Sequence, residues 1–139
     1  MGPFSFEKII SCIIIRYMKL LESSEDYLER ILILNERNTK PIRSIDIVED
    51  MNFSKPSVSI AMKKLRENGY ILIDEKGYIT LTDIGLEAAE KTYERHLVLS
   101  ELFMKLGVDE DTALKDACRI EHDLSDETFN AIKELNKKM

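Results

Sequence analysis

The sequence predicts a mainly α-helical fold with one small β-hairpin. Apolar residues recur at helical spacing over most of the 139 residues, as in helices that bury one face. The chain has only five glycines and three prolines, so few positions break a helix. One pair of short runs rich in β-branched and aromatic residues, at positions 70–73 and 78–81, flanks a turn.

Two helices are predicted in the first part of the chain. Ser23 and Ser24 can cap the first helix, whose apolar residues recur through about Arg37. Residues 38–41, which include Asn and Pro, are predicted to form a loop. We expect Ser44 to cap a short second helix.

A third helix is predicted after a tight turn at residues 52–54. Ser54 is a strong N-cap, and Pro56 stands in the first helical turn, where its missing N–H group has no cost. The helix is predicted to run to about Asn68, after which Gly69 supplies a left-handed stop.

The hairpin follows the third helix directly. Its two runs are joined by Asp-Glu-Lys-Gly at residues 74–77, which is typical of a turn. The order helix, helix, tight turn, helix and hairpin is typical of a winged helix-turn-helix domain. We therefore expect the hairpin to be the wing of such a domain.

A second, helical part is predicted after the wing. Its three helices have predicted ranges of residues 82–106, Asp109 or Asp111 to about His122, and Ser125 to the last residue. Gly107 is predicted to end the first of these helices before the second begins. These helices need a surface to pack against, and we expect a second copy of the chain to supply it.

The net charge of −6 at first argues against nucleic acid, whose binding proteins usually carry an excess of Lys and Arg. Residues 107–128, however, contain eight acidic and two basic residues, a difference of −6 that equals the charge of the whole chain. Residues 54–66, in contrast, contain four basic residues and no acidic one. The acidity belongs to one segment and does not exclude DNA.

The third helix is the predicted DNA-reading element, although a solvated face of a core helix has a similar composition. The preceding helix, the tight turn and the hairpin favour the DNA interpretation, because a helix in this position enters the major groove. Serine and lysine side chains there can bind phosphates or base edges. The residues predicted to contact DNA are Lys55, Pro56, Ser57, Ser59, Lys63 and Lys64.

Two cysteines, Cys12 and Cys118, are too few for a disulfide scaffold, so we expect a reducing cytoplasm. No apolar run reaches the roughly 18 residues of a membrane span, so no membrane partner is expected. Residues 1–17 are predicted to be an N-terminal extension. They are either an extra helix packed on the body or a stretch that precedes a true start at Met18.

A group of possible metal ligands lies near the C-terminus. Cys118, Glu121 and His122 stand at positions i, i+3 and i+4 of a predicted helix and so share a face. A thiolate, a carboxylate and an imidazole together suit a divalent cation of Fe, Co, Ni or Zn. A buried Cys beside an exposed Glu–His pair has the same spacing, and that alternative stays open.

Three more side chains could complete such a site. His96, the other histidine of the chain, lies on the preceding long helix. Asp26 and Glu29 share a face of the first helix and could reach a cation if that helix packs on the long ones. The alternative is an acid at a helix N-terminus together with a solvated Glu29.

Several stretches, in order between residues 24 and 125, resemble the diphtheria toxin repressor / manganese transport regulator family of metal-dependent transcriptional regulators. The most specific stretch is Cys118-Arg119-Ile120-Glu121-His122-Asp123-Leu124-Ser125, with His96 upstream at the matching distance. The others are Ser24-Glu25-Asp26-Tyr27-Leu28-Glu29-Arg30-Ile31, Ser57-Val58-Ser59, Lys63-Lys64-Leu65, Leu81-Thr82 with Gly85, Arg95-His96 and Leu106-Gly107-Val108.

The resemblance implies a winged helix-turn-helix domain over residues 18–81 and a helical metal-binding and dimerisation domain over residues 82–139. It also implies a short form without the SH3-like domain of the longer iron-type members. In this family, divalent metal bound where the domains meet brings the paired recognition helices into operator register. The ligands implied by the resemblance are Asp26, Glu29, His96, Cys118, Glu121 and His122.

This ligand set mixes two branches of the family. The manganese-sensing branch has acids at the positions of Asp26 and Glu29, as here, but typically a carboxylate in place of Cys118. The iron-sensing branch has Cys there, as here, but typically Met in place of Asp26. Ser100 stands where the iron-sensing branch often has a carboxylate ligand. The ancillary metal site of that branch is therefore not expected to be complete in this chain. The metal is expected to be Fe²⁺ or Mn²⁺, with Zn²⁺ or Co²⁺ able to bind in vitro.

The predicted function is that of a metal-dependent DNA-binding transcriptional regulator with no enzymatic activity. We expect a homodimer that represses metal-uptake genes by binding double-stranded operator DNA, with the metal as co-repressor. A winged-helix regulator that answers to an organic ligand is an alternative, but it leaves the Cys–Glu–His group unexplained. A small metallohydrolase would need an open coordination position and a general base. A protein-interaction module would not need the acid-free stretch at residues 54–66.

Overall fold

The computed structural model describes residues 24–38 and 40–139. It divides into two compact units, one formed by Ser24–Tyr93 and one that contains Glu94–Met139. The predicted extension at residues 1–17, and Cys12 within it, lie outside the described residues. The predicted domain ranges 18–81 and 82–139 stay predictions.

Three helices open the N-terminal unit. Helix α1 covers residues 24–37, α2 covers Ser44–Met51 and α3 covers Lys55–Glu67. The prediction that Ser44 caps α2 is wrong, because Arg43 is the N-cap residue. The backbone N–H of Arg43 donates to Asp46 Oδ2 at 2.8 Å, so a side chain inside the helix supplies the cap.

The turn between α2 and α3 has the predicted local chemistry. Asn52 ends α2 in the left-handed conformation, with φ of 56°. Ser54 caps α3, and its Oγ accepts from the Ser57 backbone N–H at 3.3 Å. Pro56 lies in the first turn of α3, and Gly69, with φ of 80°, turns the chain away after its end. Local capping therefore defines both ends of α3.

A two-stranded antiparallel hairpin forms the wing. Strand β1 covers Ile71–Ile73 and β2 covers Ile79–Leu81. In the turn between them, Asp74 Oδ1 accepts from the backbone N–H groups of Lys76 and Tyr78, both at 2.9 Å. The Ile79 N–H donates to the Ile42 carbonyl at 2.9 Å, which ties the wing to the segment before α2.

One apolar core holds the N-terminal unit together. It is built from α1, α2, α3, the wing and the first part of the next helix. Each fully buried Ile, Leu or Met contributes about 1.5–3 kcal/mol relative to an exposed side chain. The buried residues are Tyr27, Leu28, Ile31, Leu32, Leu34, Ile42, Ile47, Val58, Met62, Leu65, Ile71, Ile79 and Ala89.

The helical part that follows contains α4 (Asp83–Lys105), α5 (Glu110–Ile120) and α6 (Asp126–Lys138). As predicted, Gly107 follows the end of α4, in the left-handed conformation with φ of 96°. Asp109 and Ser125 are the N-caps of α5 and α6. Helix α5 was predicted to run to about His122; its last residue is Ile120, and the C-cap residue Glu121 still has helical backbone angles, with its N–H donating to the Ala117 carbonyl. No helix in the described ranges is both long enough and apolar enough to cross a membrane.

Candidate metal centre and nucleic-acid interface

Two histidines and one glutamate meet in the C-terminal unit. His96 lies on α4, whereas Glu121 is the C-cap residue of α5 and His122 follows it in the turn before α6. His96 Nδ1 lies 3.0 Å from Glu121 Oε2, and His122 Nε2 lies 3.3 Å from Glu121 Oε1. The side chains of Glu121 and His122 are only 1% and 4% exposed. A buried carboxylate therefore stands between two imidazoles.

The electrostatics of this cluster favour a negative charge on Glu121. Burial raises the pKa of the carboxyl group, but the neighbouring His122 and His96 imidazoles outweigh that effect and hold the pKa below its ordinary value. Glu121 Oε1 is fully buried and has no aligned hydrogen-bond donor within residues 24–38 and 40–139. A buried anionic oxygen without a donor is costly unless a cation or another polar group compensates it.

The donor set fits a divalent transition metal. Imidazole nitrogen and carboxylate oxygen are ligands for such cations. A cation at Glu121 Oε1 would compensate the buried oxygen, and the two imidazoles are already directed at the same carboxylate.

The alternative of a buried Cys118 beside an exposed Glu–His pair is wrong. Cys118 is exposed on α5, one helical turn before Glu121, whereas Glu121 and His122 are buried. His122 lies in the turn that follows Ile120, the last residue of α5. A ligand role for Cys118 stays a prediction.

Asp26 and Glu29 lie on α1 in the N-terminal unit. Glu29 is buried with an exposure of 9%, and Asp26 is half-buried. The alternative of a solvated Glu29 is therefore wrong, and a buried carboxylate calls for a compensating group. The ligand roles of both residues stay predictions.

Helix α3 buries one apolar face and exposes its basic residues. Val58, Met62 and Leu65 recur at helical spacing and are buried in the core. Ile60, which shares their apolar character, is 58% exposed, so it lies away from that face. The six residues predicted to contact DNA are all exposed, namely Lys55, Pro56, Ser57, Ser59, Lys63 and Lys64.

Arg66 was not among the predicted DNA contacts. It is exposed on α3 and lines a small concavity with Ser44, Ser59 and Lys63. Arg66 lies three residues after Lys63, so both side chains lie on one side of the helix. This spacing could have identified Arg66 as a DNA contact from the sequence. A cation beside two hydroxyl groups is suited to a phosphate.

Both parts of the chain match known domain families. Residues 19–84 match the model described as iron dependent repressor, N-terminal DNA binding domain. Residues 82–139 match that described as iron dependent repressor, metal binding and dimerisation domain. The chain belongs to the iron-dependent repressor family. The predicted winged-helix fold is confirmed, and so is the predicted function of a metal-dependent DNA-binding transcriptional regulator.

Similar proteins include regulators from archaea and bacteria. The chain is 36% identical over 118 residues to the uncharacterized HTH-type transcriptional regulator MJ0568 of Methanocaldococcus jannaschii, covering 84% of this chain and 94% of that protein. It is 32% identical over 117 residues to the HTH-type transcriptional regulator MntR of Lysinibacillus sphaericus, covering 84% of each. Neither the organic-ligand regulator nor the metallohydrolase is supported by these relatives.

Solved structures of repressors have the same fold. A manganese-dependent transcriptional repressor in complex with manganese aligns with a TM-score of 0.74 and 29% identity, over 82% of this chain and 52% of that one. ScaR with bound Zn²⁺ aligns with a TM-score of 0.68 and 31% identity, over 81% and 52%. This iron-dependent repressor homologue therefore spans about half the length of these solved chains.

Proposed function

We propose that this chain is a cytoplasmic repressor of metal-uptake genes that binds double-stranded operator DNA as a homodimer, with Fe²⁺ or Mn²⁺ as co-repressor. The observation that carries the proposal is the buried Glu121 carboxylate between His96 and His122. A regulatory rather than an enzymatic role is supported by both matched domains, which are those of a repressor.

The proposed ligands come from both parts of the chain. Glu121, His96 and His122 form the part supported by the geometry of the C-terminal unit. Helical spacing and the resemblance together add Asp26 and Glu29 on α1, and Cys118 on α5. When bound, the cation supplies a double positive charge that compensates the carboxylates. Any change of conformation then depends on how much more tightly the DNA-competent state binds the cation.

The choice of metal rests on the chemistry of the ligands. Carboxylates such as Asp26 and Glu29 suit Mn²⁺, whereas the Cys118 thiolate favours Fe²⁺, Co²⁺ or Zn²⁺. The set of carboxylate, imidazole and thiolate therefore supports Fe²⁺ or Mn²⁺ in the cell and Zn²⁺ or Co²⁺ in vitro. Among the similar solved structures, one was obtained with manganese and others with Zn²⁺ or Cd²⁺.

On the DNA side, α3 is the proposed major-groove helix. Lys55 and Ser57 at its N-terminus would lie near bases or phosphates, while Lys63 and Lys64 would bind the backbone. The exposure of these side chains, on a helix whose opposite face is anchored in the core, supports this role.

The test is metal-dependent retention of DNA. A duplex would be selected from a random pool in the presence of Mn²⁺ and then titrated by fluorescence anisotropy without metal and with Mn²⁺, Fe²⁺ or Zn²⁺. We expect tight binding only with metal and loss of this dependence in His122→Ala. Asp123→Ala, an exposed neighbour in the same turn, is the control and should respond as the wild type does. An intact metal response in His122→Ala would contradict the assigned site.

A further inference from the structure

Arg95 is a buried side chain that binds the turn between α5 and α6. Its exposure is 8%. Its Nη1 atom donates to the Glu121 carbonyl at 3.0 Å and to the Leu124 carbonyl at 2.6 Å. Its Nη2 atom donates to Asp126 Oδ1 at 2.6 Å, and its guanidinium group lies 5.1 Å from the centroid of the Phe129 ring. One side chain of α4 therefore contacts both ends of this turn.

One of these contacts satisfies the carbonyl of Glu121, the C-cap residue of α5, and another binds the Leu124 carbonyl just before α6. The last carbonyls of a helix have no intrahelical donor, and they stand at the negative end of the helix dipole. A guanidinium group can bind several acceptors at once in a rigid planar arrangement, which an ammonium group cannot do. Asp126 supplies the counter-charge, so the buried cation of Arg95 is paired.

The turn held by Arg95 is the one that carries two of the proposed ligands. Arg95 and His96 are consecutive on α4, and they bind the same residue by different groups. Arg95 holds the backbone carbonyl of Glu121, while His96 contacts its carboxylate. The backbone and the side chain of Glu121 are thus both fixed relative to α4, and His122 follows directly in the chain.

We propose that Arg95 is a positioning residue of the metal centre: it sets the geometry of Glu121 and His122 for the cation without binding the cation itself. The inference rests on the proposed metal site. Residues that orient metal ligands from outside typically change metal affinity by about 10- to 100-fold when they are replaced.

A merely structural role would have a different signature, and the chain offers a matched comparison. Lys133 on α6 donates to Glu94 on α4, the residue before Arg95. This ion pair also joins α4 to α6, but it does not touch the turn that carries Glu121 and His122. Lys133→Met should therefore alter the packing of the helices without altering the ligands.

The experiment measures metal affinity and folding separately in the full chain. Mn²⁺ is titrated by calorimetry, Co²⁺ is followed by its visible absorption, and the metal-free protein is melted by circular dichroism. For Arg95→Met we expect the Kd for Mn²⁺ to rise about 10- to 100-fold, with a changed Co²⁺ spectrum. Arg95→Lys should recover part of the affinity, and Lys133→Met should leave the Kd and the spectrum unchanged.

Each outcome decides the matter. A lower melting temperature of Arg95→Met with an unchanged Kd and spectrum would reduce Arg95 to a structural role and overturn the proposal. If Arg95→Met does not fold, Arg95→Lys replaces it, because an ammonium group keeps the charge but cannot bind Glu121, Leu124 and Asp126 together in one planar arrangement. A Kd and a Co²⁺ spectrum equal to those of the wild type in Arg95→Lys would then overturn the proposal. Absence of metal binding by the wild type would instead refute the metal site on which it rests.

Discussion

Replacement of Gly85 by Ala is expected to destabilise the N-terminal unit by collision with the chain that leads into the wing. Gly85 is buried in the first turns of α4. A Cβ atom at this position would lie 2.0 Å from the backbone oxygen of Tyr70 and 3.0 Å from its carbonyl carbon. That oxygen accepts the Thr82 N–H at 3.0 Å, so it cannot move without disturbing the start of α4.

The expected loss follows from opposing contributions. Relief of the contact requires a backbone shift of about 1 Å, and overpacking of this kind costs about 1–3 kcal/mol. Weakening of the hydrogen bond between Thr82 and Tyr70 adds about 1 kcal/mol. The better helix propensity of Ala returns about 1 kcal/mol. The free energy of unfolding should therefore fall by about 2 kcal/mol, the balance of these contributions.

Urea denaturation followed by circular dichroism measures this loss. With a slope of about 1–3 kcal/mol per molar urea, the midpoint should fall by about 1 M. Glu87→Ala, at an exposed position of the same helix, is the control and should change stability by less than about 0.5 kcal/mol. If helix propensity alone mattered, Gly85→Ala would be more stable than the wild type. That result would refute the collision.

Three other changes test the interface, the core and the pH response. Lys63→Ala should weaken binding to all DNA sequences alike and lower the salt dependence of log K by about 1, as measured by anisotropy at several salt concentrations. A loss confined to one sequence would mean that Lys63 reads a base. Met62→Ala should lower the free energy of unfolding by about 2–5 kcal/mol, because Met62 is 2% exposed. Ile60→Ala, at a position 58% exposed on the same helix, should have a much smaller effect in the same urea titration. Burial raises the pKa of Tyr27 above its ordinary value, so its contribution to stability is present below pH 10 and is lost as the pH rises through the folded-state pKa. Tyr27→Phe should therefore lose less stability than the wild type between pH 9 and pH 11, and equal losses would show that other groups cause the alkaline effect.

The helix starts that were predicted correctly depend on contacts between near neighbours. Ser54, Asp109 and Ser125 each accept a hydrogen bond from a backbone N–H three residues further on. Such a bond needs only a suitable side chain at the start of an apolar pattern, so it is visible in the sequence. The prediction failed at Ser44, because the Asp46 carboxylate binds the Arg43 N–H and places the cap one residue earlier.

The end of α5 shows where local signals stop. The segment around Ile120 contains neither Gly nor Pro, and the helical pattern predicts an end near His122. The last helical residue is Ile120, and Arg95, 26 residues away from Glu121 in the chain, binds the carbonyls of Glu121 and Leu124. No property of residues 118–122 reveals this contact between α4 and the turn after α5.

The burial of the candidate ligands could not be predicted from the sequence either. Spacing selected Cys118, Glu121 and His122 as a group, but it did not show that the Cys would be exposed and the Glu and His buried. The sequence named His96 as a possible partner because it is the other histidine of the chain, and the structure places its Nδ1 atom 3.0 Å from the Glu121 carboxylate.

The order of the elements, the acid-free stretch over residues 54–66 and the location of the acidic surplus within residues 107–128 follow from the sequence alone, because periodicity, capping and charge are properties of residues close together in the chain. Packing of α4 against the turn after α5 decided which acid lies buried between two imidazoles and which arginine binds the Glu121 carbonyl. These features depend on residues some 25 positions apart meeting in space, and the free energy of a buried charge is set by what surrounds it.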